Sequence, residues 1–246
     1  MEKVIVITGG SRGIGAATAY LAAERGYAVC VNYRQNHGAA NAVVETIRQK
    51  GGVAIAANIA IESDVIALFE AVDNQLGPIT ALVNNAGILE QQVRVENLDA
   101  ARLNRVFAAN VTGSFLCARE AVNRMSTQHG GLGGAIVNVS SVAARLGAPG
   151  EYVDYAASKA AIDAMTIGLA KEVAAEGIRV NAVRPGFIYT DIHADGGEPN
   201  RVDRVKALLP IIRGGQPMEV AQAILWLLSS EASYTTGTFI EVAGGR

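Results

Sequence analysis

Short, continuously apolar runs alternate along the chain with longer amphipathic stretches. The first run, KVIVIT at 3–8, is typical of a strand that is buried on both faces. A helix is predicted to follow it at 13–25 and to end at Gly26. Strands that alternate with helices in this way favour a parallel sheet covered by helices on both faces.

The same alternation continues to the end of the chain. Further strands are predicted at 28–33, 53–58, 79–87, 134–141, 177–186 and 237–245. Further helices are predicted at 39–50, 63–76, 99–127, 155–176 and 217–229, with Ser63 or Asp64 near the N-cap of the second of these. With right-handed crossovers, this order predicts an α/β fold: a doubly wound (Rossmann-type) parallel sheet of about seven strands with helices on both faces.

Polar clusters follow several of the predicted strands, at the point where each strand ends. They are Thr8–Gly15, Asn32–Arg34, Asn84–Gly87, Ser140–Ser141 and Pro185–Thr190. Because ligands of such sheets bind at the carboxyl ends of the strands, we expect these clusters to form one shared site.

Composition limits the expected number of domains and the classes of partner. The 246 residues are 50% hydrophobic and 18% charged, which fits a single domain over 1–246. A net charge of -2 gives no reason to expect nucleic acid or an anionic membrane as a partner. The start of the chain has no apolar run of signal-peptide or membrane-span length, so a cytoplasmic protein is expected. Cys30 and Cys117 are expected to be buried free thiols, and no His or Cys spacing predicts a metal site.

The segment TGGSRGIG at 8–15 lies between the first strand and the first helix. Glycines there permit a tight turn and close approach of a pyrophosphate to the helix N-terminus, so a dinucleotide is the expected cofactor. The second strand ends in NYRQN at 32–36 and lacks the carboxylate that would bind the ribose 2′-hydroxyl of NAD. Arg34 and Arg12 instead suit a 2′-phosphate, which predicts NADP(H) over NAD(H).

The stretch YVDYAASK at 152–159 offers two tyrosines ahead of a lysine. A free phenol has a pKa near 10 and is a poor base unless a cation stabilises the phenolate. Lys159 lies one helical turn beyond Tyr155, whereas the residue four beyond Tyr152 is Ala156. Spacing therefore selects Tyr155 as the proton carrier and predicts that Lys159 lowers its pKa. Tyr152 is expected to lie near the substrate.

Together these motifs resemble those of the short-chain dehydrogenase/reductase family along nearly the whole chain. The matching segments are TGGSRGIG (8–15), NNAG (84–87), FAANVTGSF around Asn110, VNVSS (137–141), YAASK (155–159) and RPGFIYT (184–190). Within the family, VNYR, GIRVNAVRPG and LSSEASYTTG are similar to segments of 3-oxoacyl-carrier-protein reductases and bacterial glucose dehydrogenases. The resemblance implies an NAD(P)(H)-dependent oxidoreductase, often a homotetramer.

The resemblance also assigns the site. Catalytic roles fall on Asn110, Ser141, Tyr155 and Lys159. Cofactor contacts fall on Gly9, Ser11, Arg12, Gly13, Ile14, Gly15, Asn32, Tyr33, Arg34, Asn58, Ile59, Asn84, Ala86, Gly87, Tyr155, Lys159, Pro185, Gly186, Ile188 and Thr190. Neighbouring strand residues point to opposite faces, so only one of Ser140 and Ser141 can face the substrate, and the family's pattern favours Ser141. The Ser141–Tyr155 spacing of fourteen residues departs from the family's usual thirteen by one residue.

The implied reaction is hydride transfer coupled to proton transfer. Tyr155 would exchange the proton with the substrate oxygen, and Ser141 would stabilise charge on that oxygen. Lys159 would hold the nicotinamide ribose, and Asn110 would complete a proton relay. One further departure is Asn58, since the family commonly has an aspartate near the adenine.

Substrate identity is left open by the sequence. Residues 191–215 have no firm strand or helix pattern and are expected to form a substrate loop or lid, with Gly196–Gly197 as a hinge. A sugar, a 3-oxoacyl thioester and a small ketone or aldehyde all fit as the carbonyl or alcohol substrate. A catalytically inactive dinucleotide-binding regulator is the alternative; the complete set of catalytic residues argues against it. A purely structural oligomer would leave the glycine turn unexplained.

Two stripes of residues on the helix predicted at 155–176 are relevant to oligomerisation. Ala157, Ala161, Ala164 and Gly168 form a stripe of small residues, and Ile162, Met165, Leu169 and Val173 form an apolar one. A helix that is apolar on two faces must bury both. One stripe is expected to cover the sheet and the other to meet a partner helix in a homo-oligomer.

Overall fold

Seven strands form one parallel sheet in the computed structural model, which describes residues 3–48 and 51–246. They are β1 (Lys3–Ile7), β2 (Tyr27–Tyr33), β3 (Gly52–Ala56), β4 (Ala81–Asn84), β5 (Gly134–Val139), β6 (Ile178–Pro185) and β7 (Phe239–Val242). Their order is β3-β2-β1-β4-β5-β6-β7, and every neighbouring pair is parallel. The predicted doubly wound sheet is confirmed, and its order reverses between β1 and β4.

Ten α-helices connect and flank the strands within the described residues. They are α1 (Gly13–Glu24), α2 (His37–Ile47), α3 (Glu62–Gln75), α4 (Ala100–Phe107), α5 (Gly113–Met125), α6 (Ala143–Leu146), α7 (Val153–Glu172), α8 (Ile192–Asp195), α9 (Arg201–Val205) and α10 (Pro217–Leu228). The predicted end of the second helix, at residues 49–50, lies outside the described residues.

Two apolar cores lie on opposite faces of the sheet. Ile5 and Ile7 of β1 pack into the core built with α1, α2 and α10, whereas Val4 and Val6 pack into the core built with α3 and α5. Successive strand side chains point to opposite faces, so a strand buried on both faces needs the uninterrupted apolar run seen in the sequence.

Several predicted boundaries are wrong. Helix α3 begins at Glu62 with Ile61 as its N-cap, so Ser63 and Asp64 lie inside the first turn. The Asp64 carboxylate instead accepts a hydrogen bond from the backbone N–H of Asn58 at 3.0 Å, across the β3–α3 connection. The predicted helix at 99–127 is interrupted between α4 and α5 by a π-helical turn at Ala108–Thr112. Such turns occur often at functional sites, and Asn110 lies in this one.

The segment 191–215, which we call the substrate segment, is more regular than the sequence indicated. It contains α8, α9 and a 3₁₀ turn at Lys206–Leu208. A parallel bridge joins Gly215, at the end of the segment, to Ile188, three residues before its start. Helix α6 was not predicted either. These helices span at most five residues, too few for a periodic pattern to show.

The remaining features concern the two cysteines, membrane-spanning helices and metal-binding groups. Cys30 and Cys117 are both buried and unpaired, as expected. No helix in 3–48 or 51–246 is long and apolar enough to cross a membrane. Within the same ranges, no group of His, Cys, Asp and Glu side chains is arranged to hold a metal ion.

Candidate active site

A cleft of about 1010 Å³ opens where the carboxyl ends of the strands meet. It lies across the point at which the strand order reverses, where ligands of doubly wound sheets bind. All of the predicted site residues line this cleft except Gly15, Asn84 and Asn110. The structure thus brings together segments that are far apart in the sequence.

The glycine turn forms one end of the cleft. Gly9 has φ 61°, and a Cβ there would lie 2.9 Å from Cα of Ala86. A Cβ on Gly15 would lie 2.4 Å from the carbonyl oxygen of Gly9, so Gly15 lets α1 pack against the turn and lies behind the wall. The backbone that results is a cradle at the N-terminus of α1, which fits a pyrophosphate.

Asn85, which the sequence analysis missed, fixes this turn to β4. Its side-chain Nδ2 donates to the carbonyl oxygens of Thr8 and Gly9 at 2.9 and 3.0 Å, and its backbone N–H donates to Thr8 Oγ1 at 3.0 Å. Asn84, which was predicted to shape the cofactor pocket, points into the interior. Its Nδ2 donates to the Ser114 carbonyl and to Asn138 Oδ1. Alternation at the end of β4 decides which asparagine faces the cleft, and NNAG alone does not give that register.

The end of the cleft beside β2 carries positive charge. Arg34 is exposed in the cleft wall, and its one side-chain hydrogen bond to a described residue is to Gln35 Oε1 at 3.4 Å. Arg12 lines the cleft too, but its guanidinium is paired with the Asp195 carboxylate of α8. Asn32 is buried and accepts from the Gly9 N–H at 3.4 Å, so its role is to hold the turn.

Asn58 lines the same end beyond β3. Its Oδ1 accepts a hydrogen bond from the Ala60 N–H at 3.2 Å. The amide NH₂ is therefore the group that Asn58 can offer to a base, where an aspartate would offer only acceptors.

Tyr155 and Lys159 lie one turn apart on α7, with Lys159 Nζ 5.6 Å from the Tyr155 ring centroid. Burial lowers the pKa of Lys159 to about 8, an effect that the Asp163 carboxylate opposes. Burial also raises the pKa of Tyr155 to about 12, against the opposing hydrogen bond with Ser141. In the cofactor-free protein the pKa of Tyr155 is therefore raised overall, and the expectation that Lys159 lowers it stays a prediction. The Lys159 Nζ donates to the Val139 carbonyl at 2.8 Å.

The two serines after β5 have different surroundings. Ser140 is buried, and its Oγ donates to the Lys159 carbonyl at 3.2 Å. Ser141 is partly exposed in the wall, where its hydroxyl lies close enough to Tyr155 to oppose the rise in that residue's pKa and accepts from the Ala143 N–H at 3.1 Å. Despite the lengthened connection to α7, Ser141 is the serine that the fold brings to the phenol.

Asn110 is fully buried behind the wall. Its Oδ1 accepts from the Ile88 N–H at 2.7 Å, and its Nδ2 donates to the Ile88 carbonyl at 3.1 Å and to Ser158 Oγ at 3.0 Å. The side chain thus ties the segment after β4 to α7. A Cβ on Gly87 would lie 3.4 Å from both Asn110 Oδ1 and Lys159 Nζ, so the two polar groups lie behind the same glycine. The relay role of Asn110 stays a prediction.

The substrate segment also forms part of the cleft wall. Tyr152 is buried in the wall, and its hydroxyl donates to the Gly196 carbonyl at 3.0 Å. The Arg201 guanidinium lies 4.8 Å from the Tyr152 ring centroid. His193 is buried there, and its Nε2 lies 3.0 Å from the Ile188 carbonyl oxygen, so that nitrogen carries the proton. Burial lowers the pKa of His193, which keeps its ring neutral. No pattern in the sequence singled out Arg201 or His193.

Comparisons with known proteins agree with this geometry. The family model described as "Enoyl-(Acyl carrier protein) reductase" matches residues 9–246. The chain is 64% identical over 245 residues to "Uncharacterized oxidoreductase YgfF" of Escherichia coli K12, covering 99% of both proteins. It is 39% identical to the 3-oxoacyl-[acyl-carrier-protein] reductase FabG of Staphylococcus aureus Mu50, covering 100% of this chain and 98% of that protein.

A solved structure gives the same result for the fold. A double mutant of a Serratia marcescens short-chain dehydrogenase/reductase superposes with a TM-score of 0.90 at 32% identity, covering 99% of this chain and 97% of that one. The glycine turn, the Ser141–Tyr155–Lys159 arrangement and these matches lead to one assignment. The chain is an oxidoreductase that acts on CH–OH or carbonyl groups, and it belongs to the short-chain dehydrogenase/reductase family.

Proposed function

We propose that the protein is an NADP(H)-dependent carbonyl reductase in which Tyr155 is the proton donor. The observation that carries the proposal is the meeting of Ser141, Tyr155 and Lys159 in the cleft that also holds the glycine turn. A binding module without catalysis would not require a buried lysine beside a serine and a tyrosine in the cleft.

Different side chains carry out proton transfer and charge stabilisation. When bound, the nicotinamide dinucleotide supplies or accepts the hydride. Tyr155 donates its phenolic proton to the oxygen of the reacting carbonyl. Ser141 donates a hydrogen bond to the same oxygen and stabilises the charge that develops on it. Lys159 is within reach of the ring and favours the phenolate that remains.

The names of the relatives support reduction as the physiological direction. Two of them are 3-oxoacyl-[acyl-carrier-protein] reductases. In that direction Tyr155 acts as the general acid, and in the oxidation of an alcohol it would act as the base. We therefore propose carbonyl reduction as the physiological direction.

Cofactor choice rests on the charge beside β2. Arg34 is exposed in the wall, and all side chains between 32 and 36 lack a carboxylate. A guanidinium binds a phosphate through paired, charge-assisted hydrogen bonds, whereas a 2′-hydroxyl can accept only a single hydrogen bond without charge assistance. We therefore propose NADP(H) over NAD(H), with Arg34 and Arg12 as the 2′-phosphate ligands.

The names of two relatives suggest the substrate class. The S. aureus protein and a Synechocystis protein that is 40% identical over 250 residues are both 3-oxoacyl-[acyl-carrier-protein] reductases. A 3-oxoacyl thioester is therefore the first substrate to test, ahead of sugars and simple ketones. A homotetramer is part of the same proposal: the small-residue stripe of α7 supports a homo-oligomer, and the number of four chains is what the family resemblance implies.

A substrate panel with NADPH and NADH, followed through the absorbance of the reduced nicotinamide, tests the proposal. Tyr155→Phe should lower kcat/KM by at least about a hundredfold, because general acid catalysis contributes about 10²–10⁴. NADPH affinity of the variant, measured by fluorescence, should be retained. Tyr234→Phe is the matched control, since Tyr234 is fully exposed and outside the cleft. Near-normal turnover of Tyr155→Phe, or a clear preference for NADH, would contradict the proposal.

A further inference from the structure

Arg12 is already engaged by an anion of the protein itself. Its guanidinium donates to Oδ2 of Asp195, the last residue of α8. Both residues line the cleft, Arg12 from the turn before α1 and Asp195 from the substrate segment. The ion pair therefore crosses the cleft and occupies an arginine that the proposed function assigns to the 2′-phosphate.

The Arg12–Asp195 ion pair has little support from neighbouring groups, so another anion can replace Asp195 at Arg12. Among residues 3–48 and 51–246, neither the Arg12 side chain nor the Asp195 carboxylate has a second hydrogen-bonding partner. Their side chains are 50% and 45% exposed, so the pair is largely solvated and contributes little to the stability of the fold. Breaking it leaves no buried charge behind.

We propose that Asp195 competes with the cofactor's 2′-phosphate for Arg12 and thereby weakens the binding of NADP(H) relative to NAD(H). This inference rests on the proposed function, which makes Arg12 a 2′-phosphate ligand. A phosphate monoester carries nearly two negative charges at neutral pH and three acceptor oxygens, so it displaces a single carboxylate. NAD(H) has no such group and leaves the Arg12–Asp195 pair intact.

A second consequence concerns the substrate segment. The Arg12–Asp195 pair ties α8 to the glycine turn, so the exchange releases that tie only when a 2′-phosphorylated cofactor binds. Asp195 is thus a specificity-determining residue that acts through Arg12 and touches no reacting atom.

Dissociation constants of NADPH and NADH, measured by nicotinamide fluorescence with the full chain, test the competition directly. Asp195→Asn should tighten NADPH by about two- to fivefold, the range corresponding to an exposed ion pair, and leave NADH unchanged. In an Arg12→Gln background the same substitution should change neither constant, because the contested group is gone. Asp203→Asn is the matched control: it removes the same charge from the same segment, but Asp203 pairs with Lys206 and lies outside the cleft wall.

The outcomes separate this inference from the proposed function. If Arg12→Gln weakens NADPH but Asp195→Asn does not tighten it, the competition is overturned and the cofactor assignment stands. Equal tightening of NADPH and NADH by Asp195→Asn also overturns it, because that result reports a general charge effect. If Arg12→Gln leaves NADPH affinity unchanged, Arg12 is not a 2′-phosphate ligand, and both the competition and that part of the proposed function fail.

Discussion

Burial opposes charge at both members of the Tyr155–Lys159 pair. The pKa of the phenol is raised to about 12 and that of the ammonium is lowered to about 8, each chiefly by desolvation. At neutral pH only the lysine affects stability, because the phenol is neutral in both the folded and the unfolded state. The buried ammonium of Lys159 thus reduces the stability of the cofactor-free protein.

The loss of stability caused by the buried ammonium of Lys159 should be measurable as a pH dependence of the free energy of unfolding. An unfolded lysine keeps its proton up to about pH 10.4, whereas the folded one loses it near pH 8. Between these values the unfolded state binds more protons, so the Lys159 contribution to stability rises with pH by up to about 3 kcal/mol. Urea unfolding without cofactor should show Lys159→Met gaining stability relative to wild type at pH 7 and losing that relative gain by pH 10.

Lys171 provides the control on the same helix. It is exposed in the last turn of α7, so Lys171→Met should differ from wild type by the same amount at both pH values. A Lys159→Met difference that does not change with pH would show that the folded lysine titrates normally.

At the scale of elements, α7 is held in place by α4. Arg102 Nε donates to Asp154 Oδ2 at 2.7 Å and its Nη2 to Oδ1 at 3.3 Å, and both residues are buried. Arg102 also donates to the Gln91 carbonyl at 2.6 Å. Asp154 immediately precedes Tyr155, so this bidentate pair fixes the first turn of the helix that carries the proton donor.

Arg102→Met should therefore be strongly destabilising, by about 3–5 kcal/mol, because it leaves the Asp154 carboxylate buried without its partner. Urea unfolding at neutral pH measures the loss. Arg105→Met on the same helix breaks an exposed pair with Glu90 and should cost much less, because solvent screens that pair. Equal losses for the two variants would show that the buried pair does not hold α7.

The sequence predicted these elements unequally, for physical reasons. Long apolar strands and the glycine turn can be recognised from contiguous residues, so the sheet and the part of the cleft beside the glycine turn were predicted. Short helices such as α8 and α9 carry no periodic signal, and the substrate segment was therefore expected to be irregular. Which of Asn84 and Asn85 faces the cleft depends on strand register. The partner of Arg12 is 183 residues away, and no local pattern reports such a contact.

At the scale of the whole molecule, α7 leaves a face of small side chains exposed. Ile162 and Met165 of the apolar stripe are buried with Ala118 of α5, and Val173, just after α7, packs into the core on the sheet. Ala157, Ala164 and Gly168 of the small-residue stripe remain exposed, and a Cβ on Gly168 would meet no atom within 4 Å. A stripe of small residues lets another helix approach closely, so this face is suited to a second copy of α7.

Light scattering at micromolar concentration should accordingly give a mass near that of four chains. Ala164→Arg should shift that mass downward, because a long charged side chain would hold the two helices apart and would need a partner once buried. Ala42→Arg makes the same change at an exposed alanine of α2, outside the stripe, and should leave the mass unchanged. A wild-type protein with the mass of a single chain would contradict the proposed tetramer. A tetramer that tolerates Ala164→Arg would instead place the interface on another face of the molecule.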